Sequence, residues 1–192
     1  MIQFLLAAPN SGSGKTTLAC ALLAALKNRG YAPCAFKCGP DYIDPMFHRA
    51  VLGVESHNLD LFFSSPETAR GLYASGAAGH GAAVCEGAMG FYDGLSGTST
   101  TASAWQVADT LNLPVLLVVR PKGASLTLAA QIKGLQSFRT PSHLAGILLN
   151  DCKPGLYKML APMLEAETGL PVAGFLPPVP EAAIGSRHLG LY

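Results

Sequence analysis

The residues best suited to chemistry in this chain lie in a glycine- and serine-rich segment, residues 8–17, with the sequence APNSGSGKTT. Gly12 and Gly14 allow backbone N–H groups to turn towards an anion, Lys15 supplies a positive charge, and the Thr16 hydroxyl can coordinate Mg²⁺. The common phosphate-loop pattern has a glycine where Pro9 stands, so the segment departs from it at one position. An apolar run before it and an Ala/Leu-rich run after it supply the strand and helix that such a loop requires. We predict that the segment binds nucleotide phosphates through Asn10, Ser11, Gly12, Ser13, Gly14, Lys15, Thr16 and Thr17.

Charged residues follow the next apolar runs. Lys37 ends one run, Asp41 and Asp44 lie in the loop after it, and Glu86 ends another. In α/β sheets the carboxyl ends of the strands bind ligands, and an acidic residue that closes a strand in a phosphate-loop protein commonly lies beside Mg²⁺. The pattern therefore predicts ligand chemistry at this edge of the sheet.

Each of these residues also has a structural alternative. Asp44 precedes Pro45 and could simply cap a helix that begins there, since Pro suits the first helical position. Asp41 could be a turn residue, Lys37 could be solvated, and Glu86 could be an exposed strand end.

Further candidates have weaker patterns. Arg120 and Lys122 follow a very apolar run and lie either at the rim of the site or in a solvated loop. Cys85 is the nearest match to a nucleophile elbow, but a cysteine in an apolar strand is more typical of packing. Cys34 and Cys38 lack the second pair that a zinc site would need.

Apolar runs alternate with segments of helical periodicity along the chain. Such alternation predicts parallel strands joined by right-handed crossovers, that is, an α/β domain with three α/β/α layers and a mainly parallel sheet. The predicted strands are 2–8, 33–37, 82–86, 113–120, 143–149 and 172–176. Helices are predicted at 16–29, from 45, at 65–78, 102–111, 125–138 and 157–168, the last kinked or divided at Pro162.

Composition limits the functional classes. The 192 residues are 49% hydrophobic and 13% charged with a net charge of +1, which fits a sheet covered on both faces and gives no electrostatic reason to expect nucleic acid or a membrane surface as partner. A partner domain, a subunit or a second copy in a homodimer could cover remaining apolar surface. The five scattered cysteines, the absence of a basic leader and the absence of a membrane-length apolar run predict a cytoplasmic protein.

Five motifs together resemble the cobyrinic acid a,c-diamide synthases, which are in the same P-loop class as dethiobiotin synthetase. They are residues 8–17, KCGPDYIDP at 37–45, NLD at 58–60, EGAMGFYDG at 86–94 and SRHLGL at 186–191. The resemblance implies a P-loop NTPase-like domain over residues 1–192 that uses ATP to phosphorylate a carboxylate of a tetrapyrrole polycarboxylate. Ammonia then displaces the phosphate to leave a carboxamide.

The resemblance also implies roles for residues. Lys15 and the loop amides would hold the phosphates of ATP, and Thr16, Asp44 and Glu86 would surround Mg²⁺. Lys37 would stabilise charge on the transferred group, Asp41 would support the site or contact substrate, and Asn150 would bind adenine.

Family members carry a C-terminal glutaminase domain that releases ammonia, and the 192 residues do not extend to one, so we expect a glutaminase domain or subunit as partner. Two alternatives remain: another carboxylate-activating enzyme, such as cobyric acid synthase or a dethiobiotin synthetase-like protein, and a partitioning-type nucleotide switch. Ser11 argues against the switch, which typically has a lysine there. Cobyrinic acid, hydrogenobyrinic acid and nickel sirohydrochlorin all remain as substrates.

Overall fold

A computed structural model describes residues 1–180 of the chain. The motif at 186–191, which contributed to the resemblance, lies outside the described residues. Seven parallel strands form one sheet in the order β3-β2-β4-β1-β5-β6-β7. The strands are β1 Ile2–Ala7, β2 Pro33–Cys38, β3 Glu55–Leu59, β4 Ala82–Glu86, β5 Val115–Val119, β6 Leu144–Asn150 and β7 Val172–Leu176.

Six α-helices connect these strands: α1 Lys15–Asn28, α2 Ile43–Phe47, α3 Pro66–Ala77, α4 Ala104–Leu111, α5 Leu126–Phe138 and α6 Pro154–Thr168. A five-residue π-helix, His48–Leu52, continues α2. Local signals fix several ends: Ser65 and Ser103 cap α3 and α4 by accepting from backbone N–H groups, and Gly169 ends α6 in the left-handed region.

Helices cover the sheet in two layers with separate apolar cores. One core joins α1 to the sheet through Leu18, Ala19 and Leu23. The other joins α3, α4, α5 and α6 to the opposite face. The predicted three-layer α/β/α fold is confirmed, and successive connections run first towards β3 and then towards β7. The connection that leaves β1 runs towards β3, and the connection that leaves its neighbour β4 runs towards β7. The switch point of the sheet therefore lies between β1 and β4, where α/β sheets bind their ligands.

The structure corrects three details of the predicted elements. β3 was not predicted, because its sequence ESHNL has no apolar run; pairing with β2 makes it an edge strand. α6 begins at Pro154 and runs through Pro162 as one helix. α2 begins at Ile43 with Tyr42 as its N-cap, so the alternative in which Asp44 caps a helix starting at Pro45 is wrong.

Candidate active site

The phosphate loop presents the N-terminal end of α1 to a cavity. Gly12 and Gly14 have φ angles of 79° and 92°, a backbone region that residues other than glycine rarely adopt. The Ser13 hydroxyl lies 3.0 Å from the Asn10 carbonyl oxygen and 2.6 Å from Asn10 Oδ1, which stabilises the turn. The first turn of α1 carries no acidic residue, so the positive end of the helix dipole remains available to an anion.

Lys15 is buried at the centre of this loop. Its Nζ donates to the Met89 carbonyl and lies 3.5 Å from the Asn10 carbonyl oxygen. Burial lowers the pKa of Lys15 to about 8, and the nearby positive charge of Lys37 acts in the same direction, against the opposing effect of Glu86. An incoming phosphate would therefore meet a desolvated ammonium group whose hydrogen bonds in the described part of the chain are to carbonyl oxygens.

Lys37 lies between two buried carboxylates. Its Nζ is 2.7 Å from Asp44 Oδ2 and 2.7 Å from Glu86 Oε1, and Thr16 Oγ1 donates to the same Glu86 oxygen at 2.6 Å. Pairing of β2 with β4 places Lys37 directly opposite Glu86. Burial alone would lower the pKa of Lys37, but the two carboxylates outweigh it and raise the pKa above its ordinary value. Lys37 is therefore not solvated and Glu86 is not an exposed strand end, so both of these structural alternatives are wrong.

Asp41 organises the loop between β2 and α2. Its Oδ1 accepts from the backbone N–H groups of Ile43 at 2.9 Å and Asp44 at 3.3 Å. Asn58, on β3, donates to the carbonyls of Gly39 at 2.9 Å and Asp41 at 2.6 Å. Asp41 is therefore a turn residue as well as a residue of the cavity wall, and β3 supports the loop from outside.

Asn150 closes the other end of the site. Its Nδ2 donates to the Ser13 carbonyl at 2.9 Å. The contact with the loop is so close that a Cβ added at Gly14 would lie 1.9 Å from Asn150 Nδ2. Asn150 also lines the cavity described next.

These groups surround one open cavity of about 670 Å³. Asp44 lies behind this wall, fully buried. Of the two alternatives left open for Arg120, the structure places it at the cavity, where it pairs with Asp151 and stays exposed to solvent. Of the predicted site residues, Ser11, Gly12, Gly14, Lys15, Thr16, Thr17, Lys37, Asp41, Glu86 and Asn150 line it.

The oxygen donors at the site fit Mg²⁺. Glu86 Oε2 is buried and has no hydrogen-bond partner among residues 1–180, and the Thr16 hydroxyl lies beside the other Glu86 oxygen. Hard oxygen ligands of this kind suit Mg²⁺, which usually keeps water and phosphate in its shell. In the described part of the chain no group of three or more His, Cys, Asp or Glu side chains could hold a metal by itself.

A family model described as the CobQ/CobB/MinD/ParA nucleotide binding domain matches residues 4–190. The chain belongs to this family. Its match to the CobQ/CobB/MinD/ParA domain covers both the phosphate loop and the Lys37–Asp44–Glu86 cluster.

The curated relatives most similar in sequence that we describe are a,c-diamide synthases. The cobyrinate a,c-diamide synthase of Clostridium tetani is 40% identical over 191 residues, which is 100% of this chain and 43% of the relative. The hydrogenobyrinate a,c-diamide synthase of Streptomyces coelicolor is 41% identical over 98% of this chain and 39% of its own length. The resemblance drawn from the sequence motifs is confirmed, and the chain spans less than half the length of these relatives.

Solved structures agree on the fold. The signal recognition particle 54 kDa protein of Aeropyrum pernix has a TM-score of 0.60 at 16% identity, covering 92% of this chain and 42% of that one. A ParA family ATPase of Chlorobium tepidum has a TM-score of 0.58 at 15% identity, covering 94% and 85%. These likenesses support the P-loop NTPase-like α/β fold alone.

Three features of the site were missed in the sequence. The Met89 carbonyl binds Lys15 from a residue with a φ of 50°, and a backbone acceptor leaves no mark on residue type. Asn58 was noted only as part of a motif. His48, one turn after Asp44, is buried with its Nδ1 3.0 Å from the Ser56 hydroxyl, and burial lowers its pKa.

The cysteine candidates prove to be packing residues. Cys34, Cys38 and Cys85 are buried in β2 and β4, and burial raises the pKa of all three thiols, to about 11 for Cys34 and about 12 for Cys38. A thiol that stays protonated is a poor nucleophile and a poor metal ligand.

Proposed function

We propose that this chain is the ATP-binding part of an enzyme that amidates side-chain carboxylates of a corrin precursor. ATP would phosphorylate the a- and c-side-chain carboxylates in turn, and ammonia would convert each acyl phosphate to an amide. The names of the relatives support this substrate class, and the phosphate loop supports the use of ATP.

The observation that carries the proposal is the second buried lysine at the phosphate site. Lys37 is 5% exposed and sits beside Lys15, which is 8% exposed. When the acceptor is a carboxylate, an anion must approach an anionic phosphoryl group, and positioned cations lower that electrostatic barrier.

The chain's own residues would divide the work in the first step. Lys15 and the amides of residues 10–17 would hold the phosphates, and Asn150 Oδ1 would accept from the adenine amino group. Lys37 would move its charge towards the transferred phosphoryl group, and Asp41 would support the loop at the acceptor side. When bound, Mg²⁺ would neutralise phosphate charge, held by Thr16, Asp44 and Glu86.

Bonds and protons balance across two steps. A carboxylate oxygen of the substrate attacks the γ-phosphorus, which gives an acyl phosphate and releases ADP. Neutral ammonia then attacks the acyl carbon, loses a proton and expels inorganic phosphate. Phosphoryl transfer of this type depends on positioning and charge rather than on a covalent protein intermediate.

The direct test combines two variants with a substrate panel. Calorimetry with ATP and Mg²⁺ should show binding by the parent chain and none by Lys15→Ala. Glu86→Gln should bind ATP within about tenfold of the parent but lose at least ~100-fold in turnover, because its charge matters most in the transition state.

Mass spectrometry of cobyrinate, hydrogenobyrinate and nickel sirohydrochlorin after incubation with ATP and ammonium would identify the macrocycle. ATP binding that survives Lys15→Ala, or equal turnover in parent and Glu86→Gln, would contradict the assigned roles. Amidation of none of the panel by a chain that binds ATP would contradict the proposed substrate class.

A further inference from the structure

A second cavity, of about 840 Å³, lies on the outer side of the phosphate loop. It is bounded by the loop, by the segment after β5 and by one face of α5. It shares Ser11, Gly12 and Arg120 with the phosphate cavity. A molecule bound there would therefore lie next to the phosphates without occupying the nucleotide site.

The wall of this cavity contributed by α5 is mostly apolar. Tyr92 and Phe138 have ring centroids 5.0 Å apart in an edge-to-face arrangement. The Tyr92 hydroxyl donates to the Leu135 carbonyl at 2.7 Å, which holds Tyr92 in place, while Phe138 remains 54% exposed and carries the Arg139 guanidinium 4.2 Å from its ring centroid. The remaining apolar surface of this aromatic pair suits a ring system.

Charge around the cavity has one sign. Arg120 and Lys122 line it, and none of its described lining residues is acidic. Arg120 is already paired with Asp151. Lys122 has no ion pair within residues 1–180, and its backbone N–H donates to the Arg120 carbonyl at 2.8 Å, which holds the two cations on one tight turn. The cavity is thus complementary to an anionic ligand.

We propose that this second cavity holds the ring of the multiply carboxylated macrocycle, with the ring against Tyr92 and Phe138 and peripheral carboxylates near Lys122 and Arg120. This inference rests on the proposed function and adds the location of the substrate. The shared residues at the phosphate loop would let one further carboxylate reach the γ-phosphate while the others stay bound to the two cations.

The test measures the affinity of the purified 192-residue chain for cobyrinate by calorimetry, with Mg²⁺ and a non-hydrolysable ATP analogue present. Lys122→Glu should weaken cobyrinate binding by at least ~10-fold, because it opposes like charges. Phe138→Ala should weaken it by roughly 5-fold through lost apolar contact. The fully methyl-esterified macrocycle should bind with an affinity that Lys122→Glu does not lower.

Two matched control variants change residues of α5, the helix that ends at Phe138, at positions outside the cavity. Lys133→Glu reverses an exposed charge that pairs loosely with Glu167 at 3.8 Å, and Leu126→Ala removes a side chain that is 61% exposed. Each should change cobyrinate affinity by less than about twofold, since exposed side chains away from a site contribute little. Affinity for the ATP analogue checks that every variant is folded.

Three results would overturn the location. In the first, cobyrinate is amidated but neither cavity variant alters its affinity, so the function stands and the cavity is wrong. In the second, the cavity variants dissociate a homodimer on sedimentation without changing cobyrinate affinity, so a second copy occupies the cavity. In the third, the parent binds the ATP analogue but not cobyrinate. By contrast, loss of ATP binding by the parent itself would contradict the proposed function.

Discussion

At the scale of single residues, this site concentrates charge in a place that excludes water. Lys15, Lys37, Asp44 and Glu86 are all less than a tenth exposed. Such burial is costly unless each charge finds a partner. Within residues 1–180, Lys37 has two carboxylate partners, whereas the direct contacts of Lys15 Nζ are carbonyl oxygens. The two lysines should therefore respond differently to pH and to nucleotide.

We predict that ATP binding takes up a proton at Lys15 in mildly alkaline solution. In the free protein the pKa of Lys15 is about 8, and phosphate would raise it by favouring the charged form. Affinity should therefore be constant well below pH 8 and fall as the pH rises through 8. Calorimetry at pH 8 in buffers of different ionisation enthalpy would measure the uptake, and uptake close to zero would contradict the prediction.

The lowered pKa of Lys15 also makes the free energy of unfolding depend on pH. The folded-state pKa of Lys15 is below its ordinary value of 10.5, so the folded protein binds fewer protons than the unfolded chain between about pH 8 and 10.5. Burial of Lys15 therefore lowers the free energy of unfolding below pH 8, and this destabilisation disappears as the pH rises from about 8 to 10.5.

A second prediction separates the buried ion-pair network from a surface pair. Asp44→Asn should lower the unfolding free energy by ~2–3 kcal/mol, because it leaves the buried Lys37 ammonium with Glu86 as its one carboxylate partner within residues 1–180. The matched control is Asp151→Asn. It breaks the pair with Arg120, whose side chain is 43% exposed, and should cost less than ~1 kcal/mol. Denaturant unfolding measures both, and equal losses would contradict the distinction.

At the scale of elements, the site depends on three segments held against one another. Backbone hydrogen bonds fix the loop after β4 to the end of β1, from Gly87 N–H to the Leu6 carbonyl, and to the start of the phosphate loop, from Phe91 N–H to the Ala8 carbonyl, each 2.8 Å. Asn150 at the end of β6 holds the other side of the phosphate loop. The loop therefore has little room for added atoms where these elements meet it.

We predict that ATP binding tolerates alanine at Gly12 of the phosphate loop but not at Gly14. Gly14→Ala should abolish ATP binding, because its Cβ would overlap Asn150 Nδ2 and its φ of 92° is unfavourable for alanine. Gly12→Ala, with a φ of 79° but nothing within 4 Å of its Cβ, should cost about 1 kcal/mol of backbone strain and keep measurable binding.

A double variant tests the physical cause. Asn150→Ala combined with Gly14→Ala removes the overlap and should recover part of the lost affinity if the clash dominates. Because Asn150→Ala alone also removes the proposed adenine contact, the double variant is compared with that single variant, and an affinity far below it would assign the loss to backbone strain instead. Fluorescent-nucleotide titration gives all of these affinities on one scale.

At the scale of the whole molecule, the chain supplies a nucleotide site and spans less than half the length of its curated relatives. None of the helices within residues 1–180 is both long and apolar enough to cross a membrane. Four of the five cysteines are buried, and burial raises the pKa of each of the four. These four thiols are therefore poorly suited to act as the nucleophile of glutamine hydrolysis.

The corresponding prediction concerns the nitrogen donor. Amidation by the purified 192-residue chain should depend on ammonium and should not occur with glutamine, because glutamine hydrolysis needs an activated cysteine. The rate should rise with pH towards ~9, since only neutral ammonia attacks the acyl phosphate. Rates measured with each donor over pH 7–9 would check this, and glutamine-dependent product from the chain alone would refute it. A glutaminase domain or subunit added in trans should restore the use of glutamine.

The sequence by itself determined the features that depend on neighbouring residues. Glycines and Lys-Thr in fixed spacing predicted the phosphate loop, and apolar runs of strand length predicted six of the seven strands. Ser65 before Pro66 predicted the start of α3. Each of these signals is local, because turn conformation, capping and amphipathic periodicity are set within a few residues of the chain.

Only the tertiary structure decided which residues meet. Lys37 and Glu86 are 49 residues apart and face each other because β2 pairs with β4 in one register. The polar segment ESHNL became β3 because β2 offered it an unpaired edge, and Met89 reached Lys15 through a backbone carbonyl. The cavity beside α5 likewise joins Tyr92 to residues after β5. Such contacts follow from strand order and register, which residue types within one segment do not encode.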